Sequence, residues 1–220
     1  RASSSAHSTS LYAVDQSDLG MMIPCILGCM SLPWIPIPHI GLSAPSDLHL
    51  KAAVHAARSA PLCTYPGSTA VLNSLPRGWF VNRQVNYIGC GHAAFDRAVR
   101  ALHTLDFFEQ RWLTARRDGD VIVIASRQFY LVWLTNANRV LRREPTAITF
   151  GTTRRHVLVG EERIEVRRDP ISDIVEFEVR SFSRPRHLLS WLAYPYVVCQ
   201  QRRFAKEATA IMRARCEGRH

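Results

Sequence analysis

Lysine is nearly absent from this 220-residue chain. Only Lys51 and Lys206 occur, so 26 of its 28 basic residues are arginines. Against 18 acidic residues the formal net charge is +10. Arginine presents a planar fork that suits carboxylates, phosphates and anionic headgroups. The surface is therefore expected to be either plainly solvated or matched to acidic protein, anionic lipid or nucleic acid. The arginines are scattered through every segment and do not interleave with aromatics on one face. That pattern speaks against sequence-specific nucleic-acid readout. The six cysteines at 25, 29, 63, 90, 199 and 216 contain no Cys-x-x-Cys pair and have no histidine pair at zinc-finger spacing. They read as small core residues in a reducing compartment, with no metal and no cofactor expected. The Gly89–Gly91 pair lacks the third glycine of a phosphate-cradling loop and reads as a tight strand-to-helix turn. Cys90 beside His92 has no third group to orient it, so no nucleophile follows. No serine–histidine–acid arrangement and no paired carboxylates stand at a recognisable spacing, so no catalytic residue is assigned and an enzyme is not expected.

Long apolar runs are missing too. "LGMMIPCILGCMSLPWIPIPHIGL" (19–42) is almost uncharged, but Pro24, Pro33, Pro36 and Pro38 interrupt it. A membrane-spanning helix needs ~20 continuous apolar residues with every backbone group bonded internally. The segment instead reads as an extended apolar arm, with Ile23, Leu27, Trp34, Ile35 and Ile37 as candidate partner-binding residues. The alternative is a strap across its own domain. Before it, "RASSSAHSTSLYAV" is rich in Ser and free of acid until Asp15, a composition typical of an organelle transit peptide or of the residues just after one. "SDLHLKAAVHAARSA" (46–60) reads as a short helix, capped by Ser46 or Asp47 and stopped at Pro61. Residues 1–62 are accordingly assigned to an N-terminal extension and 63–220 to a folded domain.

Within that domain, "GWFVNRQVNYIG" (78–89) reads as a strand and "HAAFDRAVRALHTL" as a helix with Phe95, Val99 and Leu102 on one face. "VIVIAS" (121–126), "QFYLVWL" (128–134) and "AITFGTT" (147–153) are short and rich in β-branched and aromatic residues, hence strands. The next two segments alternate. Leu158, Gly160, Glu162, Ile164 and Val166 share one face. Val175, Phe177, Val179 and Ser181 share another, with Glu176, Glu178 and Arg180 opposite. Period two marks antiparallel strands with one wet face. Residues 186 to about 215 are helical, and Pro195, which would cost ~3 kcal/mol in a helix interior, starts a fresh segment. The expected fold is α+β: a curved antiparallel sheet around a long C-terminal helix, the helix-grip arrangement.

Glu162 is the candidate of most interest, because its phase places a carboxylate among apolar residues, where it must be paired, protonated or turned outward by a bulge at Gly160. His156 shares its strand face. Tyr194 and Tyr196 flank the Pro195 break, where aromatic bodies with polar tips suit a cavity mouth or simply wedge the kink. Ser181 and Ser183 are expected to bond exposed amides where the last strand becomes helix.

The pieces "TYP" (64–66), "LPRGW" (75–79), "GCGHAAFDRAVRAL" (89–102), "GTTRRHVLVGEE" (151–162) and "SFSRPRHLLSWLAYPYV" (181–197) together resemble an uncharacterised plant and bacterial family, the domain-of-unknown-function family nineteen-ninety. The resemblance implies a likeness to the START-like and birch-allergen-like helix-grip proteins, whose cavities hold apolar ligands. Where that family tends to carry a glycine, this chain has Arg155, which casts doubt on a tight turn there. Three functional expectations remain open. One is a structural accessory subunit of a large mitochondrial membrane complex of respiratory type, held by other protein subunits and by anionic lipid. Another is a lipid or apolar small-molecule binder using Glu162, His156, Tyr194 and Tyr196. The last is a mitochondrial ribosome-associated protein.

Overall fold

The computed structural model describes residues 40–64, 78–186 and 191–219. The candidate arm residues Ile23, Leu27, Trp34, Ile35 and Ile37 lie outside them. The elements in chain order are β1 (Ile40–Gly41), α1 (Asp47–Arg58), β2 (Phe80–Cys90), α2 (His92–Thr104), a 3-10 turn (Asp106–Phe108), β3 (Leu113–Asp118), β4 (Val121–Gln128), β5 (Val132–Glu144), β6 (Ala147–Thr152), β7 (Leu158–Arg168), β8 (Ile174–Pro185) and α3 (Tyr194–Cys216). The strands form one antiparallel sheet in the order β2-β8-β7-β6-β5-β4-β3, with β1 paired to β5. The first long strand thus pairs with the last, and α3 returns across one face. This is the helix-grip fold.

The core lies between that face and the two longer helices. Ile148, Ile164, Val166, Phe177 and Val179 from the strands meet Ala205, Ala208 and Met212 of α3 and Ala98, Ala101 and Leu102 of α2. Alanines at the contact let α3 lie close to the sheet. Its last turn lies so near β2 that a Cβ on Gly89 would fall 3.1 Å from the Cβ of Cys216. Helix α2 ends where Leu105 takes a left-handed conformation, φ 67°, and the following turn drives Phe107 and Phe108 into the core.

A second cluster corrects the boundary expected at residue 62. Leu50, Val54 and Ala57 of α1 pack on Val121, Val123, Ala125 and Ala137, covering β4 and β5 from the side away from the main core. Residues 40–64 therefore belong to the sheet domain, whose compact unit runs Pro36–His220. The helix itself forms as its sequence dictates, with the Ser46 hydroxyl accepting from the His49 amide at 3.2 Å.

Three further expectations change. β3 is an additional strand, "LTARRD", too polar to stand out because it forms a sheet edge. The β4–β5 hairpin turns at Phe129–Tyr130, with φ 48° and 63°, and β5 runs on to Glu144. A tight hairpin turn with two residues at positive φ usually advertises itself with Asn or Gly, and this three-residue connection, Phe129–Leu131, does not. The spacing of Leu188, Leu189 and Leu192 in the predicted final helix has them pack on one part of the sheet; Leu192 is exposed, and the other two lie outside the described residues. Arg155 is not among the residues with positive φ, so the turn there asks no glycine of it. Pro195 stands in the first turn of α3, where its missing N–H leaves no bond unmade.

Candidate functional site

Between the sheet and the first half of α3 lies a cavity of about 210 Å³. Phe108, Trp112, Phe150 and Phe204 line one part of it, with Leu113 and Ile124 beside them. Phe108, Trp112 and Phe150 are themselves buried. A second part is polar, with Gln128, Asn136, His156, Tyr196, Gln200 and Gln201 in the lining, all half-buried. At ~30 Å³ per water the space holds about seven waters. That is smaller than the ~300–1,000 Å³ of drug-sized sites and suits a molecule of one ring.

The sheet register brings the polar groups together. Phe150 on β6, Glu162 on β7 and Ser181 on β8 lie side by side in one row. The next row holds Gly160 beside Ser183, and the Gly160 amide donates to the Thr152 hydroxyl at 3.1 Å. No register shift interrupts β7, so no bulge turns Glu162 outward. Gly160 serves the sheet in another way. A Cβ there would sit 2.1 Å from the carbonyl oxygen of Phe182, so only a glycine lets β7 and β8 close beneath the cavity. Ser181 and Ser183 face the cavity and do not cap the last helix. Ser183 lies 3.5 Å from the Tyr194 hydroxyl and accepts from Gln201 at 3.4 Å.

Glu162, half-buried, lines this space and makes no hydrogen bond or ion pair to any described residue. Burial alone pushes its carboxyl up to about 7. His156 also lines the cavity. Its Nδ1 accepts from the Leu158 amide at 2.9 Å, which puts the proton on Nε2. Burial, opposed by that hydrogen bond and reinforced by nearby Arg186, lowers the imidazole to about 4. At neutral pH the ring is an uncharged N–H donor. Tyr196 belongs to the lining as well. Its hydroxyl accepts from the Phe129 amide at 3.2 Å and from the side chain of Gln200, and its ring stacks on Phe129 at 4.1 Å and 15°. Tyr196 thus clasps the β4–β5 hairpin tip to the start of α3. Tyr194 stands apart from the lining. It is buried against Phe80, ring centroids 4.2 Å apart.

Sequence reasoning did not reach Asn136, Asn138, Gln200 and Gln201, all in the lining. Asn136 and Asn138 alternate with Thr135 and Ala137, which are buried on the opposite side under or near α1. That alternation was the available signal, and it was obscured because β5 is covered on both faces.

Elsewhere, Cys90 lies 3.9 Å from the Ser172 carbonyl and His92 pairs loosely with Asp96 at 3.7 Å, so the two do not meet. Burial pushes the Cys216 thiol up to about 11, leaving it unreactive. No group of His, Cys, Asp and Glu among the described residues could hold a metal. None of the described helices is long and apolar enough to cross a membrane.

Comparison with known proteins places these features. The pattern described as "Domain of unknown function (DUF1990)" matches residues 64–211. A UPF0548 protein of Arabidopsis thaliana is 28% identical over 147 residues, covering 60% of this chain and 71% of the relative. A UPF0548 protein of Dictyostelium discoideum is 32% identical over 141 residues, covering 55% of this chain and 65% of its own length. Among solved structures, the di-domain ARO/CYC BexL from the BE-7585A biosynthetic pathway aligns with a TM-score of 0.49 at 13% identity, over 68% of this chain and 53% of that one.

Proposed function

From the premise that the chain belongs to the domain-of-unknown-function family DUF1990, we propose that it is a binding protein for a small molecule with an apolar ring and a polar head group. The cavity between the sheet and α3 carries this reading. It sets an aromatic wall beside polar groups, among them Glu162, which makes no hydrogen bond to any described residue, the usual make-up of a ligand site. Glu162 supports it most directly. A carboxyl held in such a place without a partner costs stability, and a bound molecule would recover that cost. The matched family carries no assigned reaction, and the described residues hold no metal-binding group. Binding without turnover is the simplest use of the geometry. The accessory-subunit reading rests on residues 1–42, which are almost wholly outside the described ones, and none of the described residues favours it over the cavity.

The test is a protein-observed NMR titration with a neutral one-ring probe, 2-phenylethanol. Shifts confined to cavity residues such as Phe108, Ile124, Phe150, Val197 and Phe204 are the expected result. Saturable shifts elsewhere, or none, would refute the proposal.

A further inference from the structure

Accepting that the cavity binds a ligand, we infer that the ligand class is a cationic amine, with Glu162 as its counter-ion and the aromatic wall as the seat of its ring. Charge distribution carries the inference. This chain holds 26 arginines and a formal net charge of +10, yet among the described residues no arginine or lysine stands in the cavity lining. Its ionisable groups are Glu161, Glu162, His156 and Tyr196. Glu161 is engaged by the Thr64 hydroxyl. His156 is held neutral by burial, and its Nδ1 is occupied by the Leu158 amide. The Tyr196 hydroxyl is committed to Phe129 and Gln200. Arg186 lies near His156 and Arg203 near Tyr196, and neither is in the lining.

On the strands flanking Glu162, the paired residues are Phe150 and Ser181, both uncharged. From the helix side, Val197, Gln200, Gln201 and Phe204 line the cavity, again uncharged. Among the described residues, this acid therefore has no cation paired with it. By contrast, Glu178 on the opposite face of β8 is met by Arg83, Arg167 and Arg180 at 2.6–2.8 Å. Arginine reaches a nearly buried carboxylate there, while no arginine among the described residues stands in the cavity lining.

A buried carboxylate without a counter-charge binds a cation more strongly than a neutral donor, because the ligand supplies the missing half of an ion pair in a low-dielectric site. An anionic ligand would add like charge. The aromatic rings of Phe108, Phe150 and Phe204 in the lining also favour a cation over an anion, while the Trp112 ring already carries the Arg203 guanidinium 4.5 Å from its centroid. A primary amine offers three donors, and Glu162, the Ser181 hydroxyl and the amide oxygens of the polar end are the available acceptors.

The experiment uses the full chain and three probes with the same phenyl body: 2-phenylethylamine, 2-phenylethanol and 3-phenylpropionate. Each is titrated by calorimetry into the wild type and Glu162→Gln at about pH 8 and about pH 5, on either side of the carboxyl's titration. The expected order at the higher pH is amine over alcohol by about tenfold or more, with the carboxylate weakest. At the lower pH the amine's advantage shrinks, because Glu162 then carries a proton. Glu162→Gln abolishes the amine's advantage over the alcohol at both. Equal binding of amine and alcohol, a preference for the carboxylate, or an amine preference that survives Glu162→Gln overturns the inference while leaving the cavity as a binding site. If none of the three binds, the binding-site reading falls and this inference with it.

Discussion

Replacing Glu162 with glutamine removes an ionisable group and little else. The consequence for folding is a pH dependence with a definite sign. The carboxyl's ordinary value of 4.5 rises to about 7 in the folded chain. A folded value above the unfolded one means that the folded state holds the proton more tightly. Stability attached to this group is therefore complete below 4.5, falls as pH rises from 4.5 to 7, and is lost above 7. The rise from 4.5 to about 7 corresponds to about 3 kcal/mol at ~1.36 kcal/mol per tenfold change in proton affinity. Water in the cavity reduces it, so about 1–3 kcal/mol is the expected range. His156 works in the opposite direction. Its value falls from 6.5 to about 4, so its contribution is complete above 6.5 and is lost as pH falls through 4. The two slopes oppose each other, so their joint contribution changes little between about 4.5 and 6.5. The difference between Glu162→Gln and wild type cancels the histidine and isolates the carboxyl. Urea denaturation followed by circular dichroism from about pH 4 to 8.5 measures it. The variant is expected to match wild type at the acidic end and to exceed it by about 1–3 kcal/mol at the alkaline end, or roughly 2–12 °C in Tm for a chain of this size. A difference that does not change with pH, or one largest in acid, would refute the claim that Glu162 is buried without a partner.

Other substitutions probe the frame around the site. Gly160→Ala places a methyl where the Phe182 carbonyl already stands and is expected to cost about 3 kcal/mol or more by parting β7 from β8; a thermal melt within a degree or two of wild type would contradict that. Glu178→Ala leaves Arg83, Arg167 and Arg180 facing one another around a nearly buried position and is expected to lose about 3 kcal/mol, measured by chemical denaturation. Tyr130→Gly relieves a bulky residue at φ 63° whose side chain is exposed; it is expected to stabilise by about 1 kcal/mol, and a lower Tm would show that the tyrosine has a contact of its own to lose.

Much of the sheet was readable because period-two alternation is a strong signal wherever one face is wet and the other dry. Leu158, Ile164 and Val166 on β7, and Val175, Phe177, Val179 and Ser181 on β8, are buried on one side as their spacing implied. The signal fails where both faces are covered. On β5, Asn136 and Asn138 look into the cavity while Thr135 and Ala137 are buried on the other side. It fails again at edges, as in β3, and at turns without turn residues, as at Phe129–Tyr130. For α1, the apolar stripe of Leu50, Val54 and Ala57 showed that some surface would be covered without naming β4 and β5. At the site, the inward phase of Glu162 was legible. Its lack of a partner was not, because in a chain this rich in arginine the nearest cation is settled only by how the strands assemble. That is why Glu178, facing outward in the alternation, acquired three arginines and Glu162 none among the described residues.

The most direct measurement is a carboxyl carbon-13 NMR titration of Glu162, alone and with saturating 2-phenylethylamine. The expected midpoint is near 7 in the free protein, displaced clearly downward when the amine is bound. A midpoint near the ordinary 4.5 in the free protein, or one that the amine leaves in place, would contradict a half-buried, cavity-facing carboxyl that recognises a cation.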